Sequence, residues 1–390
     1  MTHTALSLSH NTALPRWFEV SGVSDVPSPA LLVYRDRVEE NIRRMLSISG
    51  GSVRLRPHIK THKMHDLLRL QRTVGIAKFK CATIAEAEMA AAAGVPDLLL
   101  AYQPVGPNIQ RTIELLRRFP QTRLSIVCDD AAALRTISAS IQSSFSSHGN
   151  RANNGRQLGV LLDIDVGQHR TGVPPDAKAA DLYQLIPTLP GLEPGGLHAY
   201  DGHLSNSDPV ERARCCESAF APVAALKQQL LDFGLPVPTI VAGGTPTFPF
   251  HAAHGDVECS PGTCVFWDAG YAAKLADLNF LPAALVLSRV ISKPCQNSIC
   301  VDLGHKAIAS EMPHPRVQFL GLEDARPVMH SEEHLVIETS HAQKLNVGDC
   351  LFGIPWHICP TVALYSEAVV IKNGQPAGTW QITRDRRVTI

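Results

Sequence analysis

The stretch SVRLRPHIKTHKMH, residues 52–65, alternates basic and apolar side chains. Because successive side chains of a strand point to opposite faces, Val53, Leu55 and Ile59 would share one face. The other face would carry the basic side chains, which are Arg54, Arg56, His58, Lys60 and His62. Burying such a set without partners is costly. The pattern therefore predicts either an anion-binding site or the solvated end of a strand, and alternation alone does not choose between them.

Apolar segments and helix-like stretches alternate from about residue 30 to residue 270. This alternation predicts a (β/α)8 barrel, with a doubly wound sheet as the alternative. In a barrel, ligand sites lie at the carboxyl ends of the strands, where a basic strand could meet an anion. The predicted barrel strands are ALLVY (30–34), SVRLRPHIK (52–60), KFKCAT (78–83), DLLLAY (97–102), RLSIVC (123–128), GVLLDIDV (159–166), GGLHAYDG (195–202) and PTIVAGG (238–244).

The sequence pattern changes after about residue 280, where short β-rich segments are separated by Gly, Pro and Asp turns. This part is predicted to form an antiparallel β-domain. We therefore expect residues 28–275 to form the barrel. Residues 276–390, together with residues 1–27, are expected to form the second domain, giving an α/β protein with two domains.

Charge and cysteine content exclude several classes of protein. The chain has 390 residues, with 36 basic and 36 acidic side chains. This balance argues against nucleic acid or an anionic membrane as a partner, and no apolar run approaches the length of a membrane span. Ten cysteines occur without a regular framework, which is typical of reduced thiols in the cytoplasm.

The segment RPHIKTHK resembles the cofactor-lysine motif of fold-type III pyridoxal-phosphate enzymes, in the branch of the D-threonine aldolase and D-serine dehydratase family. The resemblance extends in order along most of the chain, and it implies an alanine racemase-like barrel that binds pyridoxal 5'-phosphate. The other matching segments are TIAEAEMAAAAGVPDLLLAY (83–102), DIDVGQHRTGV (163–173), GLHAYDGH (196–203), AGGTPTFP (242–249), ECSPGTCVFWD (258–268), SEEH (331–334) and PWHICPT (355–361).

The resemblance implies that Lys60 forms the Schiff base with the cofactor and, once released, acts as the base at Cα. A lysine among cations has a lowered pKa, and its neutral amine can attack a carbonyl. His58 would line the cofactor site beside it. Arg170 would contact the phenolic oxygen of the cofactor. The other reading of Arg170 is an ion pair with Asp163 or Asp165.

Tyr200 lies where the family places an aromatic ring against the pyridine face, and aromatic stacking suits a flat heterocycle. A buried core tyrosine is the alternative. Gly243, Gly244 and Thr245 form a turn after a strand, and such a turn can offer backbone N–H groups and a hydroxyl to a phosphate. Asp268 and Tyr271 are expected to close the site.

His357 and Cys359 are two residues apart in PWHICPT, which is similar to the metal motif of the family. On an extended segment both would project to one face as ligands for a soft or borderline ion. A core histidine beside a buried thiol is the alternative reading. We favour Zn²⁺, with Mn²⁺ as the second choice. The ion would hold water or the β-hydroxyl of the substrate as a Lewis acid.

The implied function is a pyridoxal-phosphate- and metal-dependent lyase acting on D-β-hydroxy amino acids. The His-x-Cys pair favours dehydration of D-serine or D-threo-3-hydroxyaspartate type substrates to a 2-oxo acid and ammonia. The alternative is a D-threonine aldolase that releases glycine and acetaldehyde. An amino-acid racemase and a non-catalytic cofactor carrier are more remote. A homodimer is implied, and Arg54 and Arg56 are candidates for reading a distal substrate carboxylate.

Overall fold

Two sheets organise the protein, whose computed structural model describes residues 16–146 and 157–384. The first strand of the described ranges is β1 (Ala30–Tyr34), and the chain then forms a seven-stranded parallel sheet in which neighbouring strands follow the order of the sequence. These strands are β2 (Lys78–Cys81), β3 (Asp97–Leu100), β4 (Arg123–Cys128), β5 (Leu158–Asp163), β6 (Leu192–Ala199), β7 (Ile240–Ala242) and β8 (Val257–Cys259). The predicted α/β architecture, a barrel followed by a β-rich unit, is confirmed.

Amphipathic helices alternate with the strands. In the fourth helix Ile109, Ile113 and Leu116 are buried, and this spacing of three and four residues puts one apolar stripe against the sheet. Within the described ranges, no helix is long and apolar enough to cross a membrane. The helices are α1 (Arg35–Ser49), α2 (His65–Thr73), α3 (Ile84–Ala92), α4 (Pro107–Arg118), α5 (Ala131–Ser146), α6 (Ala177–Leu185), α7 (Pro209–Asp232), α8 (Phe248–Ala253), α9 (Ala269–Lys274) and α10 (Ile358–Val362).

The segment 54–58 closes the barrel between β8 and β2, although it is not the regular strand that the sequence predicted. Leu55 bridges to Cys259, and His58 bridges to Lys80, both in parallel. Pro57 has no N–H to donate to a ladder, so its carbonyl alone bonds the next strand, 3.0 Å from the Lys80 nitrogen. His58 and Lys60, from the basic face, still line the cavities inside the barrel.

The segment 30–34 forms β1 as a strand, but its predicted place in the barrel is wrong. It pairs with two strands of the second sheet, antiparallel to Ala284–Cys295 and parallel to Glu367–Lys372. Leu31 and Val33 pack into the barrel core, while Leu32 faces the second sheet's core. A strand buried on both faces is apolar throughout, so its sequence resembles that of a barrel strand. The domain boundary near residue 275 stays a prediction.

The second sheet has nine strands, counting β1, and is antiparallel except for the parallel pair that β1 forms. Phe18 and Val20, which precede β1, pack against its core. The remaining strands are β9 (Ala284–Cys295), β10 (Ser298–Val301), β11 (Val317–Phe319), β12 (Arg326–His330), β13 (Leu335–Glu338), β14 (Cys350–Pro355), β15 (Glu367–Lys372) and β16 (Gln375–Gln381).

Gly196 allows β6 and β7 to approach each other inside the barrel. Its φ is +112°, and a Cβ added there would lie 2.0 Å from the Thr239 carbonyl oxygen. We expect Gly196→Ala to lower the free energy of unfolding by about 3 kcal/mol or more, since strain and a backbone clash add. Gly378→Ala is the control, because Gly378 has φ +101° but open space around it. Chemical denaturation measures the free energy of unfolding of each variant. Equal losses in the two variants would contradict the clash at Gly196.

Candidate functional site

A cavity of about 830 Å³ opens at the carboxyl ends of the barrel strands. Lys60 and Tyr200 line this main cavity together with His357 and Cys359 from the second part of the chain. A smaller cavity of about 470 Å³ adjoins it and shares Lys60, Tyr200 and His58 with it. The structure therefore brings the predicted cofactor lysine, the aromatic ring and the predicted metal pair to one place.

Lys60 lies in a single 3₁₀ turn, Ile59–Thr61, that follows the closing segment of the barrel. Ile59 is fully buried in the core, which fixes the turn and leaves the Lys60 side chain at the cavity wall. The backbone N–H of Lys60 donates to His58 Nδ1 at 3.3 Å. Burial, followed by the charges of Lys60 and Lys80, holds the pKa of His58 well below its usual value. His58 is therefore a neutral acceptor that orders the turn.

The two arginines that begin the basic face do not reach the cavity. Arg56 is buried, with Nη1 2.6 Å from Asp97 Oδ1 and Nε 2.7 Å from Glu258 Oε2. Arg54 donates to backbone carbonyls of the segment 252–254. Both guanidinium groups are satisfied at the opposite end of the barrel, so the prediction that they read a substrate carboxylate is wrong.

Tyr200 follows β6 and presents its ring to both cavities. The Lys60 Nζ lies 5.8 Å from the ring centroid, and the Arg170 Cζ lies 4.9 Å from it. The turn after β7 begins with Gly243 at φ +74°. A Cβ on Gly244 would lie 3.2 Å from Tyr200 Cε2. A residue without a side chain therefore lets the turn approach the edge of the ring.

Asp201, which sequence reasoning missed, holds this turn. Its carboxylate accepts from the Gly244 N–H at 3.2 Å and from His251 Nε2 at 2.7 Å. Burial alone would raise the pKa of Asp201, but the hydrogen bond and charge of His251 lower it. Across the turn, the Thr245 hydroxyl accepts from the Thr263 N–H at 3.1 Å. These hydrogen bonds hold the turn in place. In the sequence, the only local sign of this role is that an acidic residue directly follows Tyr200.

Arg170 forms no ion pair with the two carboxylates considered from the sequence. His198 Nδ1 lies 2.6 Å from Asp163 Oδ1, and His169 Nδ1 lies 2.8 Å from Asp165 Oδ2. Each of these carboxylates therefore has a histidine partner. Arg170 instead lines the smaller cavity beside Tyr200, where its charge is available to an anionic group on a ligand.

The predicted metal pair spans the end of β14 and the start of α10. His357 caps α10, so Cys359 lies in the first turn of a helix and not on the extended segment expected from the sequence. Cys359 Sγ is 3.1 Å from Thr61 Oγ1, next to Lys60 in sequence. Burial opposes ionisation of Cys359, but a hydrogen bond with His357 and the charge of Lys60 lower the thiol pKa. The hydrogen bond with Cys359 also raises the pKa of His357 to about 9.

Two carboxyl groups position this pair. Glu311 Oε1 accepts from His357 Nδ1 at 2.5 Å, which leaves Nε2 for another partner. Asp268 Oδ2 accepts from the Ile358 N–H at 3.0 Å and joins α10 to the barrel mouth. Burial raises the pKa of Asp268 to about 6. Glu311 was missed by sequence reasoning, because it is distant in the chain and carries no local motif.

Three comparisons place these features among known proteins. Residues 33–269 match the alanine racemase N-terminal domain, and residues 283–371 match a putative serine dehydratase domain. D-threonine aldolase of Arthrobacter sp is 31% identical over 364 residues, which cover 92% of each chain. D-threo-3-hydroxyaspartate dehydratase of Delftia sp. (strain HT23) is 31% identical over 254 residues, covering 62% of this chain and 61% of the relative. The crystal structure of D-threonine aldolase from Filomicrobium marinum superposes with a TM-score of 0.85 and 27% identity, over 93% of this chain and 96% of that one.

Proposed function

This chain belongs to the fold-type III family defined by the alanine racemase N-terminal domain, here followed by a serine dehydratase-type domain, and on that premise we propose that it is a pyridoxal-phosphate-dependent lyase of D-β-hydroxy amino acids. We favour dehydration of D-serine or D-threo-3-hydroxyaspartate type substrates to a 2-oxo acid and ammonia. One observation carries the proposal. Thr61 joins the Lys60 turn to Cys359 across 3.1 Å, so a base and a metal-ligand pair share one cavity.

The residues present fit pyridoxal 5'-phosphate. Lys60 supplies an amine at the cavity wall, and Tyr200 supplies a flat ring beside it. The turn at Gly243–Thr245 comes so close to this ring that a Cβ on Gly244 would crowd it, as expected of a cradle for a phosphate arm. When bound, the cofactor supplies an electron sink for the charge left on Cα of the substrate.

The donor set of His357 and Cys359 fits a divalent metal. Imidazole together with thiolate favours Zn²⁺ over harder ions, with Mn²⁺ as the second choice. The carboxylate of Glu311 would orient His357 through Nδ1, which is a common outer-shell arrangement around metal-bound histidine. When bound, the ion supplies a Lewis acid for the β-hydroxyl of the substrate.

The protein's own groups divide the proton transfers. The Lys60 amine takes the proton from Cα as general base. The same proton then passes to the departing β-hydroxyl, which leaves Cβ as water. The product is an enamine, which water hydrolyses to the 2-oxo acid and ammonia. Thr61 keeps the Lys60 turn against Cys359, so the base and the site of the departing hydroxyl stay in register.

Retro-aldol cleavage is the second candidate, because the relative that is 31% identical over 92% of this chain is a D-threonine aldolase. Here a base takes the hydroxyl proton, the Cα–Cβ bond breaks, and Cα is protonated. The products are glycine and an aldehyde. The His-x-Cys donor set favours dehydration, while a racemase or a cofactor carrier leaves the pair beside Lys60 without a task.

Product analysis decides between the two lyase reactions. We expect D-serine to give pyruvate and ammonia, and D-threonine to give 2-oxobutyrate and ammonia, detected by mass spectrometry and an ammonia assay. Glycine and acetaldehyde from D-threonine would establish the aldolase instead. L-serine and L-threonine are the controls. Interconversion of D- and L-alanine without either product set would contradict both.

We place the enzyme in the cytoplasm as a homodimer. All ten cysteines are free thiols, which fits a reducing compartment. The homodimer rests on the family resemblance, and sedimentation of the holoenzyme tests it.

A further inference from the structure

Lys80 is a buried amine that the proposed reaction does not use. It lies on β2, its side chain is enclosed with 1% exposure, and its Nζ donates to Ser260 Oγ at 2.5 Å. No carboxylate in the described ranges forms an ion pair with it. Burying an ammonium group without such a partner is costly, so a function at this position is expected.

Lys80 borders the same aromatic ring as Lys60. Its Nζ lies 5.3 Å from the Tyr200 ring centroid, compared with 5.8 Å for the Lys60 Nζ and 4.9 Å for the Arg170 Cζ. Three cationic side chains therefore surround one flat surface. Lys80 and Arg170 line the smaller cavity, whereas the Gly244–Thr245 turn lines only the main one. Lys80 thus borders the ring, and its partner Ser260 donates through Oγ to the Gly243 carbonyl at 3.4 Å, at the start of the turn proposed for the phosphate.

A pyridoxal ring has three polar positions besides its phosphate arm: the aldehyde, the phenolic oxygen and the ring nitrogen. The aldehyde is assigned to Lys60 and the phenolic oxygen to Arg170. The ring nitrogen is the position left for Lys80. Charge near this nitrogen tunes the electron demand of the cofactor, so a lysine there would affect reactivity without touching the substrate.

Lys80 is followed by a chain of buried polar groups that contact one another. Its Nζ lies 3.5 Å from His198 Nε2, and His198 Nδ1 lies 2.6 Å from Asp163 Oδ1. Burial, followed by the charge of Lys60, lowers the pKa of Lys80 to about 7, so its charge responds to pH near neutrality. The charged or titratable groups that face it are Lys60, Arg56, His58, His198, Asp163 and Asp201.

We propose that Lys80 faces the ring nitrogen of pyridoxal phosphate held at Lys60, and that its charge lowers the proton affinity of the cofactor adduct. This inference rests on the proposed function. The Coulomb interaction of two charges several ångströms apart in a protein interior is large enough to move a pKa by about one unit or more. Lys80 is in this view a positioning and tuning residue, since Lys60 alone forms the covalent bond.

The test is a spectroscopic pH titration of the holoenzyme. The visible absorption band of the cofactor adduct is followed in wild type, Lys80→Arg and Lys80→Gln. We expect the transition at the lowest pH in Lys80→Arg, which is always charged, and at the highest pH in Lys80→Gln, about one unit or more apart. Wild type should fall between them. Lys80→Met replaces Lys80→Gln if that variant does not fold.

Lys78→Met is the matched control. Lys78 precedes Lys80 by two residues on β2, so it shares the inner face, but its amine pairs with Glu258 and lines neither of the two cavities. It should titrate like wild type. If wild type and the Lys80 variants all show the band and titrate at the same pH, the proposed role of Lys80 is overturned. If wild type shows no band with added cofactor, the proposed function itself fails.

Discussion

Lys60→Ala is expected to lower kcat/KM by at least about 10³-fold, because the substitution removes the residue proposed as both cofactor anchor and general base. Borohydride reduction of wild-type holoenzyme should fix the cofactor to the peptide that contains Lys60. The same treatment of Lys60→Ala should leave that peptide unmodified. Turnover and peptide mass spectrometry measure the two effects independently.

The peptide that carries the trapped cofactor must be identified, because a second amine, that of Lys80, lies beside the same ring as Lys60. A trapped adduct on the Lys80 peptide in the variant would show a substitute amine, not the wild-type anchor. Lys306→Ala is the control, since Lys306 is exposed and paired with Glu332 and Glu333. Wild-type turnover by Lys60→Ala would contradict the assignment of Lys60.

Removal of the metal pair should give the second large effect. We expect His357→Ala and Cys359→Ala to lower kcat/KM by about 10²-fold or more, because each removes a proposed ligand of the metal that would act as Lewis acid on the β-hydroxyl. Thorough chelation should cause the same loss in wild type, and added Zn²⁺ should reverse it only there. Metal content is measured by elemental mass spectrometry, and cofactor binding by the visible band, which should persist.

Cys295→Ser controls for thiol chemistry, because Cys295 is an exposed free thiol remote from the cavity.

Glu311→Gln tests the carboxylate that orients His357 while leaving both proposed metal ligands in place. It should weaken metal affinity by about 10- to 100-fold, as outer-shell changes do, without abolishing activity at saturating metal. Full activity after complete metal removal would refute the role of His357 and Cys359.

Local patterns predicted the segments that reach the cavity. Alternation across 52–65 placed His58 and Lys60 on one face, and both line the site although Pro57 prevents a regular strand there. Tyr200 and Gly244 follow strand ends, and parallel strand ends meet at one mouth. The position of these residues at the cavity could be predicted because it depends on a few neighbouring residues, while their roles stay predictions.

Features that depend on distant contacts could not be predicted. Glu311 approaches His357 across 46 positions of the chain, and nothing in its neighbours indicates this. The sequence of the apolar segment 30–34 does not indicate which sheet the strand joins, since a strand buried on both faces has the same apolar pattern in the barrel and in the second sheet. The alternation also puts Arg56 on the basic face, but its ion-pair partners Asp97 and Glu258, which are distant in the sequence, hold it away from the cavity.

The position of β1 has a consequence for dissecting the protein. This strand lies between β9 and β15, inside the second sheet, yet it precedes every barrel strand in the chain. A fragment cut after residue 275 would carry β1 with both hydrogen-bonding edges stripped of partners, and exposed edges of this kind promote aggregation. The remaining piece would lose a central strand of its sheet. Recombinant halves of this chain should therefore be produced by circular permutation or co-expression, not by a single truncation.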